Sequence, residues 1–370
     1  MPCFNIAIFW KLCQSRIVFV LIELACMLGK KKKFYIKTFG CIQNVIDSEK
    51  IRNDFLKKGF IEVYDYRKSD LVIINSCIVR ETAENRVYGL INNIRKLGKN
   101  RPKVLLSGCL ARLLLQNKKK LGKIKNNFPE ISRIKVFEGF SAQEDDRALI
   151  SISNGCNNFC SYCIVPFCRG REKSKNFKKI IKEVDRHIKE GVEKILLVGQ
   201  NVNSYGADFD KTSSFFKLLE KIAKKKLKNI SFISSNPWDF SDELIEVISK
   251  YKNIDRLIHL PLQSGDDEIL KKMKRPYTSK EYLSLVRKIR KRIKGVRFST
   301  DIIVGFPGET KKAFKNTVEL CKKVGFEIAY LNKYSPRRGT LAAKLYEDNV
   351  PMKIKKKRWK VLEKLINKKN

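Results

Sequence analysis

From Lys32 to Tyr334, short apolar runs with strand character alternate with segments of helical pattern. That alternation restricts the chain to an α/β architecture with parallel strands, because parallel neighbours need a crossover helix between them. Two series separate. The first has strands near Phe34 to Thr38, Leu71 to Asn75 and Val104 to Ser107, with helices near Val45 to Lys57, Glu81 to Lys96 and Leu110 to Lys120. It reads as a small doubly wound domain spanning residues 31–140. The stretch Glu138 to Arg147, with Gly139, Ser141 and four acidic residues, interrupts the pattern and reads as a linker. The second series has strands near Leu149 to Ser153, Lys194 to Val198, Ile230 to Ser234, Arg256 to Leu260, Val296 to Val304 and Glu327 to Tyr334. Six strand–helix units over 141–346 predict a partial (β/α)6 TIM-like barrel with its chemistry at the strand carboxyl ends. Residues 347–370 read as a basic helical tail.

With 79 Lys and Arg against 38 Asp and Glu, the chain carries a net +41. Such a field draws polyanions, which points to nucleic acid, although lysine spread over every helix face produces the same total without a partner. Eleven cysteines in 370 residues are too few for a disulfide scaffold. Their clustering suits metal or redox chemistry in a reducing, cytoplasmic setting. With only His187 and His259 present, histidine-rich zinc or iron sites are not expected. The apolar run Ile17 to Leu28 is too short to span a bilayer and is interrupted by Glu23, so no membrane association is expected. Residues 1–30, including Cys3, Cys13 and Cys26, read as an extension without function, with Met27 as an internal start.

Cys156, Cys160 and Cys163 stand at the spacing Cys-x3-Cys-x2-Cys directly after the first barrel strand. Three thiolates serve three irons of a four-iron cluster and leave one iron open to a substrate. A structural zinc would need Cys168 as fourth ligand, and Cys168 reads instead as an ordinary loop residue. A second set is more dispersed: Gly40-Cys41, Ser76-Cys77 and Gly108-Cys109 each follow a predicted strand. Strand carboxyl ends of a parallel sheet lie along one edge, so these three cysteines are expected to converge. Three unrelated core cysteines are the plainer alternative, and Cys321 is read that way.

These residues resemble the radical S-adenosylmethionine methylthiotransferases, and within them the branch that makes 2-methylthio-N6-isopentenyladenosine (the dimethylallyl derivative) in transfer RNA. The resemblance runs from about Lys32 to Tyr346. It rests on Thr38-Phe39-Gly40-Cys41 with Asn44 and Asp47-Ser48-Glu49, on Asn75-Ser76-Cys77, on Gly108-Cys109-Leu110-Ala111, and on Gly155-Cys156 through Arg169-Gly170-Arg171-Glu172. Gly199-Gln200-Asn201-Val202, Leu260 to Gly265, Asp301 to Thr310 and Tyr334-Ser335-Pro336-Arg337 are similar to further landmarks.

The resemblance implies two 4Fe-4S clusters, one on Cys41, Cys77 and Cys109 and one on Cys156, Cys160 and Cys163, and two molecules of S-adenosylmethionine per turnover. The second cluster would cleave the first molecule to a deoxyadenosyl radical that removes the C2 hydrogen of N6-isopentenyladenosine next to the anticodon. Sulfur would come from the N-terminal cluster and methyl from the second molecule. Gln263, Ser264, Asp301, Arg169 and Gly199 are the expected cofactor contacts, and Arg171, Lys173 and Lys175 the expected RNA contacts. A reducing electron-transfer protein is the expected partner of a monomeric enzyme. Relatives continue into a small RNA-binding β-barrel, expected to be absent here, and Trp359 amid Lys355 to Lys360 is expected to take part of its role. Threonylcarbamoyl-adenosine and a ribosomal-protein aspartate are the alternative substrates within the family. A non-catalytic RNA-binding remnant is the alternative outside it.

Overall fold

The computed structural model describes residues 31–78, 81–210 and 213–368, so the N-terminal extension, with its three cysteines and Met27, lies outside the described residues. Strands β1 (Lys33–Phe39), β2 (Ile61–Glu62), β3 (Leu71–Ser76), β4 (Lys103–Ser107) and β5 (Ile131–Ile134) form one parallel sheet in the order β2-β1-β3-β4-β5. Successive side chains of a strand point to opposite faces, and here both faces are covered. Val72, Ile74, Val104 and Leu106 pack against Val87, Ile91 and Leu110 on one side. Ile73 and Leu105 pack against Phe34, Ile51 and Phe55 on the other. Each such buried aliphatic side chain contributes roughly 1.5–3 kcal/mol. The expected helix from Leu110 to Lys120 is two helices, Gly108–Leu115 and Lys118–Asn127, because the Asn117 side chain accepts from Lys120 N and starts the second.

The segment expected as a linker is largely a hairpin. β6 (Ser141–Glu144) runs antiparallel to β7 (Arg147–Ser151) through a turn at Asp145, whose φ is +52°. The acidic residues that suggested a linker occupy the turn and the solvent face, while Ala142 is buried. β8 (Ser153–Asn154) and β9 (Lys173–Ser174) make a short antiparallel ribbon around the first cysteine loop. β7 then continues in parallel with β10 (Lys194–Val198) and β11 (Asn229–Phe232), and β12 (Leu257–His259) with β13 (Arg297–Val304) and β14 (Ile328–Lys333). A single bridge, Ile230 to Ile254, joins the two halves. The result is an open six-unit barrel with one large core that includes Ile150, Ile195 and Leu197, while Leu149, Leu196 and Val198 on the opposite face of the strands pack with Ile46 and Ala142.

The C-terminal residues are not a free tail. The helix Met352–Leu362 packs along β14, with Lys355, Arg358, Leu362 and Ile366 buried. Trp359 Nε1 donates to Leu331 O at 3.0 Å, and the Asn367 amide exchanges two hydrogen bonds of 2.9 Å with the backbone of Ala329. The open edge of β14 is thereby covered. Trp359 and Lys355, expected to face RNA, are committed to the fold. Among the described residues no helix is long and apolar enough to cross a membrane.

Candidate active site

The barrel triad lies on the loop between β8 and the helix Val165–Arg169. Gly155 opens that loop at φ +80°, where a Cβ would come within 2.1 Å of Arg171 O. Cys156 N donates to Gly170 O at 3.2 Å and Cys163 N to Cys160 O at 2.9 Å, which folds the loop back on itself. The three cysteines line a cavity of about 160 Å³ together with Gln200, Gln263 and Arg275. Burial pushes the Cys156 thiol up to about 11 and raises that of Cys163 further. Buried thiols that cannot ionise alone ionise readily on binding metal, which supplies the missing positive charge.

Asp301 stands at the carboxyl half of β13 on the wall of the same cavity. Ser234 N donates to His259 Nδ1 at 3.0 Å, so the ring carries its proton on Nε2, and that nitrogen lies 3.3 Å from Asp301 Oδ2. The carboxylate is thus held by a ring of fixed tautomer. Gln263 reaches the wall from a left-handed backbone conformation, φ +65°, with its N donating to Asp301 O at 2.8 Å. A second cavity, of about 650 Å³, shares Tyr162, Cys163, Gln263 and Asp301 with the first. It extends over the apolar side chains of Ile303, Leu331, Pro336 and Met352.

The other triad sits at the edge where β1, β3 and β4 end. Cys41 precedes the helix Ile42–Leu56, Cys77 follows β3, and Cys109 lies in the first turn of the helix after β4. In a sheet of this order the carboxyl ends diverge between β1 and β3, and the crevice opens there. Gly40 and Gly108 let the three approach: a Cβ on Gly40 would meet Cys77 Cβ at 3.0 Å, and one on Gly108, at φ +81°, would meet Ser76 O at 2.4 Å. Cys41 is exposed as a residue, but its thiol turns inward to Asn44 Oδ1 at 3.3 Å and to Cys77. Cys77 hydrogen-bonds with both other thiols, which holds Cys41 down at about 6 and Cys109 at about 7 while raising Cys77 itself. Asn44 and Asn75 lock the edge through bonds of 3.2 and 2.8 Å, and Ser48 receives the second Asn75 hydrogen at 2.8 Å.

Three thiols of lowered or shared proton affinity beside a guanidinium fit an anionic sulfur-rich group. Among the described residues no three His, Cys, Asp or Glu side chains close around a single metal ion. Donor sets made of thiols alone suit soft iron-sulfur ligation. The buried Gln43 Oε1 and Ser107 Oγ, each two residues from a triad cysteine, have no hydrogen-bond partner.

Several expected site residues lie elsewhere. Ser264 is fully buried, its Oγ 3.5 Å from Thr317 Oγ1 and accepting from Asp266 N, so it supports a turn and lines neither cavity. Gly199 packs against Ser153, where a Cβ would meet Oγ at 2.6 Å, and its neighbour Gln200 takes the cavity wall. Arg169 points away from the barrel cavity into the junction with the N-terminal sheet, 3.1 Å from Asp47. Lys175 is no surface cation: Nζ donates to Gly139 O at 2.8 Å over the Phe140 ring, and burial lowers it to about 8. Cys168 is not in a loop but on the helix Val165–Arg169, in the core of the sheet domain. Arg171, over the Phe159 ring at 4.4 Å, and Lys173 are exposed. Arg275 had escaped notice, because one more cation in Lys271-Lys272-Met273-Lys274-Arg275 carries no signal in so basic a chain.

An open six-unit barrel with three cysteines in its mouth, behind a doubly wound sheet, defines a radical S-adenosylmethionine protein. Residues 150–321 match the radical SAM superfamily, whose members use a 4Fe-4S cluster and S-adenosylmethionine, and residues 33–129 match uncharacterized protein family UPF0004. The chain belongs to the family of tRNA-2-methylthio-N(6)-dimethylallyladenosine synthases. It is 39% identical to the protein of that name from Caldicellulosiruptor saccharolyticus, covering 91% of this chain and 78% of the relative. The Fusobacterium nucleatum protein is 39% identical, with 91% and 84% covered, and that of Staphylococcus haemolyticus 41%, with 92% and 72% covered. Among solved structures, the methyltransferase TsrM from Kitasatospora setae aligns at TM-score 0.57 and 14% identity over 85% of this chain and 74% of that one. OxsB, a cobalamin-dependent radical enzyme, aligns at 0.53 and 10% over 90% and 56%. At these identities the likeness is one of fold: a doubly wound sheet packed on a partial barrel.

Proposed function

We propose that this protein converts N6-dimethylallyladenosine in transfer RNA to its 2-methylthio derivative, the activity its relatives are named for. The observation that carries the reading is the presence of two separate cysteine triads in one fold, one in the barrel mouth and one at the sheet edge. Cys156, Cys160 and Cys163 hold one 4Fe-4S cluster, and Cys41, Cys77 and Cys109 a second. Bound there, the first supplies one-electron cleavage of S-adenosylmethionine and the second supplies sulfur. Product needs two molecules of S-adenosylmethionine, one taking the C2 hydrogen as 5′-deoxyadenosine and one giving methyl.

The protein's own work is placement and enclosure. Asp301, fixed by His259, and Gln263 border both cavities, where the adenosyl group and the target base must meet within contact distance. Ile303, Leu331 and Met352 give the larger cavity an apolar wall that excludes water and suits a dimethylallyl chain. Arg171, exposed over the Phe159 ring, the exposed Lys173 and a net charge of +41 favour an RNA phosphate backbone. A reducing electron-transfer protein and a reducing compartment go with this chemistry.

The test is nucleoside mass spectrometry of transfer RNA from cells with and without the protein. Loss of 2-methylthio-N6-dimethylallyladenosine, with accumulation of its unthiolated precursor, is expected. Loss of a methylthio group from threonylcarbamoyl-adenosine alone, or no change, overturns the assignment.

A further inference from the structure

Arg169 lies six residues beyond Cys163, yet it leaves the barrel cavity and enters the junction between the two cysteine-bearing units. Its Nη2 donates to Asp47 Oδ2 at 3.1 Å and its Nη1 to Asn154 Oδ1 at 3.2 Å. Asp47 belongs to the helix that begins after Cys41, and Asn154 precedes Cys156 by two residues. One guanidinium therefore binds the frame of both triads. The Arg169 and Asp47 side chains are 1% and 2% exposed, so neither charge has water to compensate it.

The rest of the junction is built around the same pair. The other carboxylate oxygen of Asp47 accepts from Gly139 N at 3.0 Å and from Gln43 Nε2 at 3.2 Å. Gly139 O accepts in turn from Lys175 Nζ at 2.8 Å, which ties the chain crossing between the two units to the barrel. A Cβ on Gly139 would lie 2.1 Å from Ile46 O, so the crossing is pressed against the Cys41 helix. The Arg169 charge also bears on both Cys41 and Cys109 and lowers each.

We propose that Arg169 is a positioning residue that latches the N-terminal cysteine triad against the barrel mouth and supplies the buried positive charge facing that triad. This rests on the reading that both triads carry clusters. The two centres must act on one carbon atom in turn, so a small change in their relative placement separates radical formation from product formation. A fixed cation beside a cluster also favours its reduced form, so the latch sets the potential of the N-terminal centre.

The experiment uses the full chain, reconstituted anaerobically, as wild type and as Arg169→Met, Arg169→Lys and Asp47→Asn. Two quantities are read: the midpoint potential of each cluster by EPR-monitored reductive titration, and the ratio of methylthiolated nucleoside to 5′-deoxyadenosine. In Arg169→Met the potential of the N-terminal cluster falls while that of the barrel cluster holds. The product ratio drops by about tenfold or more, with 5′-deoxyadenosine formation within about twofold of wild type. Arg169→Lys recovers the potential but not the ratio, since ammonium keeps the charge and loses the fork. Asp47→Asn lowers the ratio from the opposite side of the latch and keeps the proposal testable if Arg169→Met does not fold. Unchanged potential and ratio in Arg169→Met overturn the proposal. So does a fall in 5′-deoxyadenosine formation with a raised KM for S-adenosylmethionine, which makes Arg169 a cofactor ligand. A Cys41→Ala, Cys77→Ala, Cys109→Ala protein that still methylthiolates removes the underlying reading whatever Arg169 does.

Discussion

Arg275 directs Nη1 at the Cys160 sulfur, 3.6 Å away, while Nη2 is spent on Pro261 O at 2.9 Å and the guanidinium lies over the Trp238 ring, 4.5 Å from its centre. Pro261, Trp238 and the Tyr277 hydroxyl, which accepts from Nε at 3.3 Å, fix this cation and leave Nη1 to Cys160 and to Asn236 Oδ1 at 3.5 Å. Sulfur that accepts a charge-assisted hydrogen bond is held in place by roughly 1.5–3 kcal/mol. Replacing Arg275 by Gln is expected to lower the rate of 5′-deoxyadenosine formation by at least about tenfold. Anaerobic single-turnover assays with dithionite measure it, with iron content as the control for cluster loss. A rate within about twofold of wild type contradicts the role.

The triads separate by function. Cys160→Ala is expected to abolish 5′-deoxyadenosine formation altogether. Cys77→Ser is expected to keep that reaction, lose methylthiolated product, and lower bound iron by about half, since each four-iron site holds an equal share. Iron analysis beside the two product assays distinguishes the cases. Loss of both reactions in Cys77→Ser goes against a division of labour between the triads.

The cysteine placement was legible because β1, β3 and β4 are each a short apolar run that leads directly into Gly-Cys or Ser-Cys, and a parallel sheet aligns such ends without any long-range information. β2 and β5 were not legible, since a two-residue and a four-residue edge strand reading Ile-Glu and Ile-Ser-Arg-Ile carry no periodic signal. Charged residues misled most. Lys175 and Lys355 read as part of an RNA-facing surface, but each, like Arg358, is held inside by an oxygen contributed from a distant segment. Arg169 and Arg275 stand in equally basic surroundings, and only tertiary structure sends one to the domain junction and the other to a cluster ligand. Family resemblance located the motif around Arg169 without revealing which way its side chain turns.

The C-terminal helix is a structural strap. Lys355 Nζ bonds the Asp348 carboxylate at 2.7 Å and Tyr334 O at 3.0 Å, with its own side chain 1% exposed, and its stem lies beneath Gly305. Lys355→Ala leaves a buried carbonyl and a half-buried carboxylate unpaired and is expected to cost about 3 kcal/mol. Lys355→Met combined with Asp348→Asn removes both charges and is expected to recover most of that. Urea denaturation of the apo-protein reads both variants, and equal midpoints for Lys355→Ala and wild type contradict the strap.

Glu172 provides a pH signature of folding. The carboxyl is 8% exposed, receives the Ser204 hydroxyl, and faces Asp208 and Asp239, and burial raises it from 4.5 to about 7. The folded state therefore retains a proton that the unfolded chain releases. The resulting stabilisation is complete below the unfolded value and is lost as pH rises through the folded one, with a total of roughly 3 kcal/mol. Glu172→Gln keeps an oxygen for Ser204 and cannot ionise, so its stability relative to wild type is expected to rise steadily between about pH 5 and 8. Denaturation midpoints of both proteins across that range test this, and parallel curves mean that Glu172 is ionised in the folded state at neutral pH.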